Sequence, residues 1–317
     1  MATRPIVIAH RGASGYLPEH TLEAKVLAYG LGADYIEQDV VATRDGALVV
    51  LHDLVLDAVT NVADVYPGRA RRDGLHYVID FDLDEIEQLE VTERRRTGTA
   101  DALFPGRFPP VTLGLRLTTL ANEIRLIQGL NRTMGRDVGI YPEVKDPAWH
   151  REHGIDLGAR VLEELDRFGY RSASDRAYVQ CFEQSEVVRM RIELETRLKL
   201  VQLLPPTGTG GRIPSAAELD QIASVADGVG LPLGELVDVQ PEGASQGPAP
   251  NGLGDTIRAA GLALHPYTFR KDQLPPWIAS FEALLELFFD DIGVDGLFCD
   301  FPDVAVRVRD SMSKAAP

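Results

Sequence analysis

The stretch VIAHRGASGYLPEHTLEA, residues 7–24, places an apolar run against a His-Arg pair, a Pro-Glu-His-Thr step and the start of a helical pattern. Strand interiors exclude charge, because burying it is costly unless a partner meets it. Residues 6–9 therefore read as a buried strand that ends at a pocket, with His10 and Arg11 at its mouth. From about Thr21 to Leu31, Leu22, Val26, Leu27 and Tyr29 supply the apolar positions of a helix. Strand, loop and helix make one β/α unit.

The unit recurs along the chain. DYIEQDVVAT and ALVVLHD, separated by Asp45-Gly46, predict a strand and a short return strand joined by a tight hairpin turn. Helical patterns at 119–130, 155–168, 185–194, 216–225, 252–260 and 277–291 alternate with the strands VGIYPEVK, AYVQCF, LKLVQLL, residues 228–231, LALHPY and GLFCD, and a last helix starts near Asp303. About eight strand-helix units predict an α/β fold of the TIM (β/α)8 barrel type, whose active site lies where strands end and loops begin. Residues 54–112, rich in Arg, Asp, Pro and Gly, break the rhythm around a short helix at 83–89 and read as a small insertion after the second strand. The whole of 1–317 is then a single domain. The turn-rich segments 205–214 and 241–252 read as loops, and the TGTGG of the first lacks the Lys-Ser/Thr of a phosphate-binding P-loop.

Composition narrows the partners. A formal charge of −16 argues against nucleic acid, which is bound through clustered Lys and Arg. The basic runs at 69–72 and 93–96 sit among acidic neighbours and read as solvated surface. Cys181 and Cys299 are the only cysteines and form no CxxC pair, so neither a disulfide framework nor a zinc cluster is expected. The apolar stretch before His10 is five residues, too short for a secretory leader or a stable membrane insertion. As written the chain reads as cytoplasmic; a removed leader would make it periplasmic.

Three carboxylates carry the metal argument. Glu37 and Asp39 are two apart on one strand and share a face, and Glu143 ends the next core strand with Lys145 two residues on. If those strands are neighbours the carboxylates converge, and an all-oxygen set suits one hard divalent cation, Ca2+ or Mg2+. His10 and His52 each close a strand, and a pair of imidazoles, one neutral and one protonated, suits general base and acid work near neutral pH. Arg11 and Lys145 add positive charge for an anionic ligand with oxygens around phosphorus.

The motifs AHRGASGYLPEHTLEA, GADYIEQDVVATRDGALVVLHD, YPEVK, VQCF, HPYTFR and GLFCDFPD resemble the glycerophosphodiester phosphodiesterase family, and within it the bacterial periplasmic branch, over about residues 7–306. Many family members have Asn where this chain has His20. The resemblance implies a TIM barrel that hydrolyses glycerophosphodiesters, such as glycerophosphocholine or glycerophosphoethanolamine, to sn-glycerol 3-phosphate and an alcohol. It implies metal ligation by Glu37, Asp39 and Glu143, catalysis by His10 and His52, and phosphate contacts from Arg11 and Lys145. Phe182, Tyr267 and Phe298 stand near strand ends, where they either meet the glycerol moiety or complete the core. The attacking group, a glycerol hydroxyl or water, stays open, as does which histidine is acid and which base. A lipid-cleaving relative resembling sphingomyelinase D and a non-catalytic phosphodiester-binding protein are the rival readings.

Overall fold

The computed structural model describes residues 4–96, 98–207, 213–239 and 247–312. The segments 205–214 and 241–252 lie partly outside them, at 208–212 and 241–246. The chain opens with β1 (Ile6–Ala9), α1 (Leu22–Gly30), β2 (Tyr35–Ala42) and β3 (Leu48–Val50). Thr21 caps α1 by accepting a hydrogen bond from the Ala24 amide, and Gly46, with φ of 82°, makes the β2–β3 turn. The described residues up to the next core helix hold short helices only: α2 (Val62–Val65), a 3-10 turn at Val78–Asp80 and α3 (Leu83–Ile86). Regular alternation resumes with α4 (Leu120–Met134), β4 (Gly139–Val144), α5 (Pro147–Glu152), α6 (Leu157–Arg167), β5 (Tyr178–Cys181), α7 (Gln184–Ile192), β6 (Lys199–Leu203), α8 (Ala216–Ala223) and β7 (Gly228–Gly230). A small antiparallel pair, β8 (Val237–Asp238) and β9 (Ala249–Pro250), precedes α9 (Leu253–Ala259), β10 (Ala263–Leu264), α10 (Phe281–Glu286), β11 (Gly296–Cys299) and α11 (Pro302–Met312).

Eight parallel strands run in the order β10, β7, β6, β5, β4, β2, β1, β11, with β3 added antiparallel to β2. The two ends of that order meet. Asp295 donates its amide to the Leu264 carbonyl (3.1 Å), Phe298 to Pro266 (3.1 Å) and Phe269 to Phe298 (2.8 Å). A nearly closed (β/α)8 barrel results, as the sequence pattern predicts. LALHPY supplies a strand of only two residues because Pro266 has no amide to give to a ladder. Helix 277–291 also differs from expectation: it begins at Phe281 and widens into a π-type turn over Leu287–Ile292.

Outward faces of the strands pack beneath the helices, with Ile36, Val40, Ile140, Val179 and Leu200 buried there. Inside the barrel, Ile8, Tyr35, Tyr141, Val201, Leu203 and Phe298 form a separate cluster. Its rings interlock, Tyr141 lying 4.8 Å from Tyr178 in a stack and 5.1 Å from Phe298 edge to face. Gly139 makes room for this layer, since a Cβ there would sit 2.2 Å from the Tyr35 ring. Residues 54–117 carry a separate apolar cluster, including Leu56, Val59, Phe81, Ile86 and Leu117, seated on Val41, Val49 and Leu51 of the β2–β3 hairpin. Among the described residues no helix is long and apolar enough to cross a membrane.

Candidate active site at the carboxyl ends of the strands

Strand register brings the acidic residues together. Asp39 of β2 is paired with Glu143 of β4, and Glu37 lies two residues earlier on the same inward face. Glu37, Asp39 and Glu143 are all buried, and one oxygen from each lies within 4.8 Å of the others. Around them opens a cleft of about 340 Å³ lined by His10, Arg11, His52, Gln180, Phe182, Tyr267, Arg270 and Phe298, among others.

Each carboxylate is held differently. Glu37 accepts the Arg11 amide (2.9 Å) and the Gln180 side-chain amide (2.9 Å), a geometry that the left-handed backbone of Arg11, φ 58°, makes available. Asp39 takes His20 Nε2 at 2.8 Å, with Arg11 Nε at 3.4 Å and Lys145 Nζ at 3.9 Å. Glu143 meets Lys145 at 2.8 Å. Behind them Lys25, fully buried, contacts His20 Nδ1 (3.1 Å) and Glu123 (3.2 Å).

Three carboxylates on a dry floor do not all stay ionised. Burial, with Asp39 and Glu143 alongside, pushes Glu37 well above the usual carboxylate range. Burial and the neighbouring Asp39 raise Glu143 to about 8 despite Lys145. Asp39 is held low, because Lys145 and the hydrogen bond from His20 outweigh its burial. The remaining oxygen, Asp39 Oδ1, is buried and has no hydrogen-bond partner. An all-oxygen set with like-charge strain and an orphaned lone pair fits a hard divalent cation.

The expected His10/His52 general acid–base pair requires correction. What converges here is the acidic triad, and that triad, rather than the two histidines, is the catalytic centre. Burial and then Arg11 lower His10 to about 4, and burial with Arg11 and Lys145 lowers His52. His10 donates Nδ1–H to Asp300 (2.6 Å) and turns Nε2 towards Glu37, 3.8 Å away. His52 Nδ1 pairs with Asp53 at 2.5 Å. Both rings line the cleft, as do Arg11 and Phe298, and Lys145 borders it through Glu143. Phe298 is buried as part of the aromatic floor, whereas Phe182 is partly exposed and stands edge to face with Tyr267, 6.0 Å between centroids.

Sequence reasoning does not find Glu19, Asp53, Gln180, Arg270 or Asp300 as members of this site. Two had a visible signal: Asp53 follows His52 directly, and Asp300 closes the GLFCD strand as His10 closes the first.

Comparison with known proteins agrees with the geometry. Residues 10–304 match the Glycerophosphoryl diester phosphodiesterase family. A glycerophosphodiester phosphodiesterase of Haemophilus influenzae is 39% identical over 329 aligned residues, covering 97% of this chain and 90% of that protein. One from Treponema pallidum is 35% identical, covering 96% and 92%. Among solved structures, a putative glycerophosphoryl diester phosphodiesterase from Silicibacter pomeroyi superposes with a TM-score of 0.73 at 23% identity, covering 98% of this chain and 95% of its own. An Oleispira antarctica phosphodiesterase in complex with sn-glycerol-3-phosphate gives 0.65 at 22% identity, covering 96% and 97%. Barrel, acidic triad and near end-to-end similarity lead to one conclusion: this chain belongs to the glycerophosphoryl diester phosphodiesterase family of hydrolases.

Proposed function

We propose that the Glu37/Asp39/Glu143 triad, loaded with one divalent cation, Ca2+ or Mg2+, hydrolyses glycerophosphodiesters such as glycerophosphocholine or glycerophosphoethanolamine to sn-glycerol 3-phosphate and an alcohol. The observation that carries this reading is the convergence of three buried carboxylates at the strand ends with Arg11 and Lys145 beside them. When bound, a divalent ion supplies Lewis-acid polarisation of a phosphoryl oxygen and lowers the pKa of an attacking hydroxyl.

The chain's own groups do the rest. Arg11, charged and partly buried, and Lys145, whose pKa Glu143 and Asp39 raise in spite of burial, stabilise charge growing on the equatorial phosphoryl oxygens. His10 and His52 line the same cleft beside the triad. Phe182 and Tyr267 give the cleft an apolar wall, and the floor of Tyr141 and Phe298 keeps the local dielectric low.

The test is release of glycerol 3-phosphate from glycerophosphocholine by purified protein, before and after EDTA, with Ca2+ and Mg2+ restored separately. Loss on chelation and recovery with one ion is the expected result and names the working metal. No release with either ion from folded protein overturns the reading.

A further inference from the structure

The insertion sends two arginines into the barrel mouth, and each ends on a carboxylate that already holds a cleft-lining imidazole. Arg94 forks onto Glu19, Nε to Oε2 at 2.8 Å and Nη2 to Oε1 at 2.7 Å, and gives Nη1 to Asp53 Oδ2 at 2.6 Å. The other oxygen of Asp53 holds His52 Nδ1. Arg107 gives Nη2 to Asp300 Oδ2 at 2.6 Å, while Asp300 Oδ1 holds His10 Nδ1. Arg107 is further tied to Asp272 by two bonds, 2.7 and 3.0 Å, and donates to the Ser14 carbonyl at 3.2 Å. Its guanidinium also lies over the Phe104 ring, 3.8 Å from the centroid.

Neither arrangement is a surface ion pair. The Arg94 side chain is 13% exposed and that of Arg107 5% exposed. A buried guanidinium that meets carboxylates through several fixed N–H groups sets their orientation as well as their charge. Asp53 turns one oxygen to Arg94 and the other to His52, and Asp300 turns one to Arg107 and to Arg270, whose Nε reaches it at 2.9 Å, and the other to His10. That fixes which ring nitrogen carries the proton and where the ring points.

We propose that residues 94 and 107 make the insertion a positioning brace: Arg94 acts through Asp53 on His52, and Arg107, beside Arg270, through Asp300 on His10, holding both imidazoles in one orientation along the cleft next to the acidic triad. This rests on the proposed phosphodiesterase reading for its kinetic consequence, but not for its structural one. The two arms converge from the same insertion on opposite ends of the chain's sequence. Asp53 follows β3, and Asp300 follows β11.

The experiment compares Arg94→Met, Arg107→Met and the double variant with wild type and with Arg71→Met. Arg71 is a fair control, since it forks onto Asp80 at 2.7 and 2.8 Å within the same insertion and contacts no imidazole. Three quantities are read: divalent-ion affinity, steady-state kinetics on glycerophosphocholine, and the 15N and 1H signals of the His10 and His52 rings. The brace predicts metal affinity within a few-fold of wild type, kcat lowered about 10- to 100-fold in each arginine variant, and ring signals moved only for the histidine on the affected arm. Added guanidinium should restore part of kcat in the truncated variants but not alter Arg71→Met. Unmoved ring signals, or kcat unchanged in folded Arg94→Met and Arg107→Met, would overturn the brace and leave the insertion a cover. Should the truncations not fold, Arg94→Lys and Arg107→Lys keep the charge and lose the fork, and the same two readouts decide. A wild-type enzyme that fails to hydrolyse the substrate would count against the phosphodiesterase reading, while the ring signals would still test the brace.

Discussion

Two layers of the same barrel strands differ in chemistry although they are two residues apart. Tyr35 and Tyr141 lie in the aromatic floor, and Glu37 and Glu143 follow them by two positions in the acidic rim. The floor buys the rim its character, because like charges above packed rings have little water to screen them. That is why Glu37 and Glu143 are pushed up in the protein without a cation, and why a cation is the group that relieves them. Rim residues are thus under strain that the floor residues create.

The sharpest way to break this contrast is to remove one rim carboxylate. Asp39→Asn or Glu143→Gln should lower turnover about 10³-fold or more and abolish the rise in melting temperature that Ca2+ or Mg2+ gives to wild type. His10→Ala should keep that metal-dependent rise, because it removes no oxygen ligand. In the metal-free state the sign reverses: Glu37→Gln should be at least as stable as wild type in urea denaturation near neutral pH, since the folded chain no longer has to keep on a buried carboxyl a proton that the unfolded chain releases. A destabilised metal-free Glu37→Gln would show that the rim is not strained.

Damaging the floor should act on folding instead. Phe298→Ala opens a cavity beneath the rim and should cost about 3–5 kcal/mol in denaturant unfolding. If chelation and the cavity act through the same layer, metal should recover part of that loss.

Glu93, in the insertion, offers a carboxylate that is buried without co-ligands. Burial and the charge of Glu19 raise it to about 7 although Arg107 and Arg94 oppose the shift, and its Oε2 has no hydrogen-bond partner. The folded protein therefore binds a proton that the unfolded chain releases between about pH 4.5 and 7, so this group's contribution favours folding below that window and is lost as pH rises through it. Glu93→Gln should flatten the wild-type decline, the difference between the two growing by up to about 3 kcal/mol across the window. Equal slopes in urea titrations at several pH values would refute it. The smallest effect is expected behind the rim, where His20→Ala removes a hydrogen bond to Asp39 and should weaken metal binding about 10- to 100-fold by calorimetry.

Much of this architecture is legible in the chain because strand alternation is local. Glu37 with Asp39, and Glu143 with Lys145, declare a shared face by spacing alone, and an apolar run that stops at His10 or His52 declares a strand end. What holds those residues is not local. His10 meets Asp300 across 290 positions, Arg94 meets Glu19 across 75 and Gln180 meets Glu37 across 143. Local spacing does not encode such pairs. The protonation of the imidazoles was illegible for the same reason, since burial and the nearby Arg11 arise only after folding. The helix α5 went unread too, although Pro147 in its first turn is a favourable start.

The pairing of β1 with β11 also bears on how the molecule is made. Ile6–Ala9 lies in register with Gly296–Cys299, so one edge of the first barrel strand waits for a partner 290 residues later. Glu37, Asp39 and Glu143 are all synthesised some 150 residues or more before the strand that seals their barrel. Closure of so distant a contact is slow, and an apolar strand with an open edge invites pairing with another chain meanwhile. During synthesis, then, the period of greatest exposure to aggregation is the interval before residues 296–299 leave the ribosome.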